Sequence, residues 1–192
     1  MKLTGARLAG KTNLRQREEN DFYATPRETT LSILNEIELY ESILEPCCGL
    51  GNISEVLKEY YPGREIVSTD LIDRGYGEGN IDFLTHNYNR KFNNIITNPP
   101  FNIIKPFLYK CLEVTTDQVI LFCKIQFLES ISRRQMFKET PLKYVYVFSE
   151  RQNILKGIRD KDENGKKWSG TICFAWYVWE HGYEGEPVLR WI

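Results

Sequence analysis

Apolar and polar positions along the chain fall into two alternating rhythms. Pro26 can open a helix at its first turn, and Leu31, Leu34 and Ile37 then recur on one face. "SILEPC" (42–47) reads as a short buried strand. Asn52 is placed to cap a helix carrying Ile53, Val56, Leu57 and Tyr60, which "YPG" stops. "EIVSTDLI" (65–72) is the next strand, "NIDFL" (80–84) a shorter one and "NNIIT" (93–97) the fourth. A helix over about 103–114 follows, then the strand "QVILFCK" (118–124), a helix over about 128–137, and the strand "LKYVYVFS" (142–149). "TICFAWYVWE" (171–180) is the seventh strand, reached through a polar, Gly-containing loop at 160–169. Strands separated by helix-length segments predict βαβ units and a parallel sheet. The last two strands are joined by a loop alone, so they should pair antiparallel.

This pattern predicts an α/β fold, an open, doubly wound, mostly parallel sheet of seven strands with the last reversed. Ligands of such sheets sit beyond the carboxyl ends of the strands. Glu45, Asp70, Asp82 and Asn98 all fall at those ends.

Each of these positions carries chemistry. In "EPCCGLGN" (45–52), Gly49 and Gly51 let the backbone approach a ligand in front of a helix N-terminus. The spacing is not GxGxxG and no GK[ST] follows, which excludes the dinucleotide fingerprint and the phosphate loop. A carboxylate at Glu45 favours a cationic ligand over a pyrophosphate. Asp70, about twenty residues on, can take both hydroxyls of a ribose. Asp82 followed by Phe83 can bind an adenine amino group and cover its ring. A positive centre, a ribose and an adenine together describe S-adenosylmethionine.

"NNIITNPPFNII" (93–104) ends a buried strand on Asn98, Pro99, Pro100 and Phe101. Two prolines remove two backbone donors, so a central strand stops there. The exocyclic amine of adenine is a poor nucleophile because its lone pair is delocalised into the ring. The Asn98 side-chain oxygen and the Pro99 carbonyl supply two acceptors for its hydrogens. The locked φ of the prolines fixes that carbonyl, and Phe101 can stack on a base taken out of a strand.

Composition narrows the alternatives. The 192 residues are 42% hydrophobic and 27% charged, with net charge −1, ordinary values for a globular chain. Five cysteines without CxxC spacing and only two histidines exclude a zinc site or a disulfide framework, so no metal is expected. Reduced thiols point to the cytoplasm. Neither a signal peptide nor a membrane span is expected. Charge is uneven: Lys2, Arg7, Lys11, Arg15 and Arg17 make residues 1–20 a basic, mobile arm, and basic residues also outnumber acidic ones over 151–167. Residues 21–192 read as one domain. Cys47 and Cys48 read as small packing residues, as does Trp168 under its loop.

These residues resemble the S-adenosylmethionine-dependent amino-group methyltransferases of the N6-adenine DNA class, in the motif order of their gamma group. "DFYATP" (21–26) is similar to the cofactor-clamping motif, "EPCCGLGNI" (45–53) to the cofactor loop and "NPPF" (98–101) to the catalytic motif. The resemblance covers roughly residues 21–180 and implies a Rossmann-like class I methyltransferase fold. By it, Tyr23, Thr25, Pro26, Pro46, Cys47, Asn52 and Leu71 join Glu45, Gly49, Gly51, Asp70, Asp82, Phe83 and Asn98 around S-adenosylmethionine. Pro99, Pro100 and Phe101 complete the catalytic motif. The resemblance also implies that an aromatic or polar residue after strand six lines the target-base pocket with Phe101; Phe148, Ser149 and Arg151 occupy that region. Sequence-specific members carry a separate recognition domain, for which this chain has no room. Little or short sequence specificity on DNA is therefore expected, as in compact phage or prophage enzymes, whose endings this chain's "WYVWEHGYEGEPVLRWI" resembles. RNA adenine or a protein glutamine remains an alternative acceptor, and so does an inactive nucleic-acid-binding relative.

Overall fold

The computed structural model describes residues 23–150, 152, 155–156 and 172–192. The basic arm at 1–20, Arg151 and the loop carrying Trp168 lie outside the described residues.

Seven strands form one sheet in the order β3-β2-β4-β5-β8-β6-β9. They are β2 (Ser42–Glu45), β3 (Glu65–Ser68), β4 (Phe92–Thr97), β5 (Thr115–Lys124), β6 (Leu142–Val147), β8 (Phe174–Glu180) and β9 (Val188–Trp191). Neighbours run parallel except β8, which is antiparallel to both β5 and β6. The reversed strand expected at 171–180 is β8. Two short strands, β1 (Tyr23–Ala24) and β7 (Leu155–Lys156), make a separate antiparallel ribbon, with Tyr23 opposite Lys156 and Ala24 opposite Leu155.

Alternation along the strands splits the core in two. Ile43, Ile96, Ile120, Phe122, Trp176 and Val178 face α1 (Arg27–Leu34) and α2 (Asn52–Tyr60). Their neighbours Leu44, Ile95, Val119, Leu121, Tyr177 and Trp179 face α3 (Ile104–Val114) and α4 (Ile131–Glu139). Central strands are buried on both faces, which is why they read as unbroken apolar runs. The fully buried indoles of β8 still satisfy their N–H groups: Trp176 donates to the Thr29 carbonyl at 2.9 Å and Trp179 to the Thr140 hydroxyl at 3.1 Å.

Three sequence expectations change. "NIDFL" is not a strand. Asp82 closes a turn there: its side chain accepts from the Leu84 N–H at 3.1 Å and the Thr85 hydroxyl at 3.0 Å, and its carbonyl from the His86 N–H at 2.8 Å. The seventh place in the sheet goes instead to β9, on the opposite edge, parallel to β6. Asn52 does not cap α2. The N-cap is Gly51, in the left-handed region at φ 84°, with no side-chain cap bond. Asp70 lies two residues beyond the end of β3, in a loop where its N–H donates to the Glu78 carbonyl at 3.0 Å.

Candidate active site

At the carboxyl ends of β2 and β4 the chain opens a cleft whose wall includes Glu45, Asp70, Asp82 and Asn98. Tyr23, Thr25, Pro46, Cys47, Asn52, Leu71, Phe83 and Pro100 also line it. Pro26, Gly49, Gly51, Pro99 and Phe101 stand behind or beside these positions rather than on the wall.

The glycine loop is set by its neighbours. Gly49 (φ 56°) and Gly51 (φ 84°) both take left-handed backbone. A Cβ on Gly51 would lie 2.5 Å from the ring of Tyr76. Tyr76 is held over the loop by its hydroxyl, which donates to Glu55 at 2.5 Å and accepts from Lys58 at 2.8 Å. Asp70 staples the loop from the other side: one carboxylate oxygen accepts from the Gly49 N–H at 2.8 Å, the other from the Ile72 N–H at 2.9 Å. Each oxygen keeps a further lone pair, and the side chain is half-buried on the cleft wall.

Glu45 is only 1% exposed although it lines the cleft. Burial pushes its carboxyl up to about 8, against the pull of Ser54, whose hydroxyl and main chain hydrogen-bond to it; the charge of Asp70 raises it further. The Ser54 hydroxyl also lies 2.6 Å from that of Ser68. Glu45 is therefore mostly protonated at neutral pH, and an arriving cation would favour the carboxylate form. Beside it, the Asn52 side-chain oxygen is buried and, among the described residues, has no hydrogen-bond partner. Burial, with the nearby carboxylates, pushes the Cys48 thiol up to about 12 and the Cys47 thiol well above its ordinary value. Both stay protonated, as packing residues do; Cys48 donates to the Tyr76 carbonyl at 3.6 Å.

Opposite the glycine loop, the Asn98 amide nitrogen donates to the Tyr23 carbonyl at 3.0 Å and to the Thr25 hydroxyl oxygen at 3.2 Å. Pro100 follows in extended backbone, and Phe101 begins a 3-10 turn through Ile103. The Lys124 ammonium, at the end of β5, sits 4.8 Å from the Phe101 ring centre. Phe101 touches Phe174 (6.4 Å), which stacks on Phe122 (5.0 Å, 14°), against which Phe148 packs edge-on (6.0 Å). Phe148 is thus joined to the Asn-Pro-Pro-Phe turn through two core rings rather than directly. Ser149 is exposed, and its N–H donates to the Ile192 carbonyl at 2.8 Å. Phe83 is buried on the cleft floor against Phe107, with ring centres 4.6 Å apart, so most of its face already packs in the core.

Sequence reasoning missed Ser54, Tyr76 and Ile72, and also Arg74, which lines the cleft. Ser54 left one signal, a small polar residue beside Ile53 on the apolar face of α2. The others depend on the path of the loop after β3, which no periodicity encodes.

No protein-family profile matches the chain, and no curated protein matches it. Solved structures do. A Pyrococcus horikoshii protein assigned as an RNA methyltransferase superposes with a TM-score of 0.60 at 16% identity, over 84% of this chain and 88% of its own. The magnesium protoporphyrin IX methyltransferase of Synechocystis, solved with S-adenosylmethionine bound, gives 0.53 at 11% identity over 79% and 78%. A dimethyladenosine transferase from Plasmodium falciparum gives 0.52 at 14% identity over 83% and 62%. At such identities the likeness establishes architecture: the chain has the Rossmann-like α/β fold that these methyltransferases share.

Proposed function

We propose that the protein transfers a methyl group from S-adenosylmethionine to the exocyclic N6 amino group of adenine in DNA. One observation carries this reading: Asn98, at the end of a central strand in an Asn-Pro-Pro-Phe turn, lines the same cleft as the buried Glu45 and the half-buried Asp70.

The residues fit that cofactor. Glu45 and the unpartnered Asn52 oxygen are two acceptors for the ammonium end, and the remaining lone pairs of Asp70 suit a ribose diol. Asp82 is exposed at the cleft edge, where an adenine amine can reach it. S-adenosylmethionine supplies an electrophilic methyl on a sulfonium. The chain's own contribution is to the amine. Asn98 Oδ1, on the cleft wall, and the main-chain carbonyl of the buried Pro99, between the wall residues Asn98 and Pro100, are the acceptors for its two hydrogens and draw the nitrogen toward tetrahedral geometry. As the lone pair localises and positive charge grows on nitrogen, these acceptors bind more tightly, so they favour the transition state over the ground state. After transfer the amine sheds one proton to solvent, so no buried base is required. Phe101, beside the cleft wall with the Lys124 ammonium over its ring, is the aromatic of the turn that an incoming base would meet.

RNA adenine is the second reading, favoured by the likeness to the Pyrococcus horikoshii protein assigned as an RNA methyltransferase and to the Plasmodium falciparum dimethyladenosine transferase. Calorimetry with S-adenosylmethionine, on wild type and on Asp70→Ala, tests the cofactor assignment. The expected result is a 1:1 complex weakened by the variant. No heat at millimolar ligand would refute it.

A further inference from the structure

The orientation of the Asn98 amide is a built feature. A carbonyl oxygen only accepts, so the end of the amide facing the Tyr23 carbonyl at 3.0 Å is the NH2 group. Its second hydrogen goes to the Thr25 hydroxyl at 3.2 Å. The amide oxygen faces the other way and, among the described residues, accepts no hydrogen bond. Flipped, that oxygen would oppose a carbonyl with no proton between them.

We propose that Thr25, with the Tyr23 main-chain carbonyl, is a positioning residue that fixes which end of the Asn98 amide meets the target amine. This rests on the reading of Asn98 as the group that binds that amine. It moves Thr25 from the cofactor side, where the sequence motif puts it, to the acceptor side.

The two partners are themselves held. Thr25 is 3% exposed. The Tyr23–Ala24 strand pairs with Leu155–Lys156. Just beyond, in α1, the Thr29 carbonyl accepts from the Trp176 indole and the Thr29 hydroxyl donates to Gln152 at 2.6 Å. The amide clamp is thereby tied to a central strand of the sheet. The same geometry explains asparagine over aspartate: a carboxylate at 98 would face the Tyr23 carbonyl with no hydrogen to offer.

The test compares Thr25→Val, which removes the acceptor at similar volume, with Thr25→Ser, which keeps it. The single-turnover rate of methyl transfer to an adenine oligonucleotide should fall roughly tenfold to a hundredfold in Thr25→Val. It should return to near wild type in Thr25→Ser, and the Kd for S-adenosylmethionine should stay within about twofold in both. In 15N spectra, the Asn98 NH2 pair, identified by its loss in Asn98→Ala, should be protected from exchange in wild type and lose protection at one proton in Thr25→Val. An unchanged rate in Thr25→Val, or a weakened Kd with transfer intact, would overturn the inference. If Asn98→Ala itself turned over at the wild-type rate, the underlying reading of Asn98 would fail with it.

Discussion

Replacing Glu45 by glutamine removes an ionisable group from the cleft while keeping its shape. In the folded, ligand-free protein the carboxyl is pushed from its ordinary 4.5 to about 8, chiefly by burial. Each tenfold in a proton equilibrium is about 1.4 kcal/mol, so ionising Glu45 in place costs up to about 5 kcal/mol more than in the unfolded chain. The sign follows from the raised value. The neutral acid belongs to the folded state, so its stability contribution is complete below about pH 4.5. That contribution drains away as pH rises toward 8. Between pH 5 and pH 9 the wild type should therefore lose roughly 2–5 kcal/mol relative to Glu45→Gln, relaxation and water entry lowering the ceiling. Urea unfolding of both proteins across that range, compared through the difference in their midpoints, isolates this group from the others that titrate. Binding of a cationic ligand should also release close to one proton at pH 7 from wild type and none from the variant. Calorimetry in buffers of different ionisation enthalpy reads that directly. A wild-type-minus-variant stability difference independent of pH would refute the assignment of Glu45 as a buried acid.

Gly51→Ala should destabilise the protein by roughly 1–3 kcal/mol and weaken S-adenosylmethionine binding, since φ 84° strains an L residue and the new methyl meets Tyr76. The double variant with Tyr76→Ala should recover the steric part only, which thermal unfolding separates. Asp70→Ala should cost roughly 1.5–3 kcal/mol of cofactor affinity and speed hydrogen exchange at the Gly49 amide, which loses its acceptor; unchanged exchange would remove the stapling role.

The central strands were legible because burial on both faces leaves unbroken apolar runs, as at Ile95–Ile96 and Val119–Cys123. The strand-end rule then brought Glu45 and Asn98 to one wall, which Asp70 and Asp82 reach from the loop between β3 and β4. "NIDFL" misled because Ile81 and Phe83 alternate like a strand, while the turn is decided by side-chain hydrogen bonds of Asp82 that periodicity does not register. β9 was invisible for the opposite reason: all four of its residues are exposed, so the strand carries no buried pattern and exists through its pairing with β6 alone. Aromatic residues gave the weakest guide. Nothing local distinguishes Phe101, with Lys124 over its ring, from Phe148, packed edge-on against Phe122, since only the fold decides what each ring meets. The Asn98 clamp joins residues more than seventy positions apart and leaves no trace in either segment.

The most direct measurement offers tritiated S-adenosylmethionine and the purified protein to unmethylated duplex DNA, single-stranded DNA and RNA in parallel, with Asn98→Ala as the paired control. Each polymer is then digested and the labelled nucleoside identified. Label is expected in N6-methyladenine from DNA, abolished in Asn98→Ala while cofactor binding persists. Label in any other nucleoside, or undiminished transfer by Asn98→Ala, would contradict the proposed function.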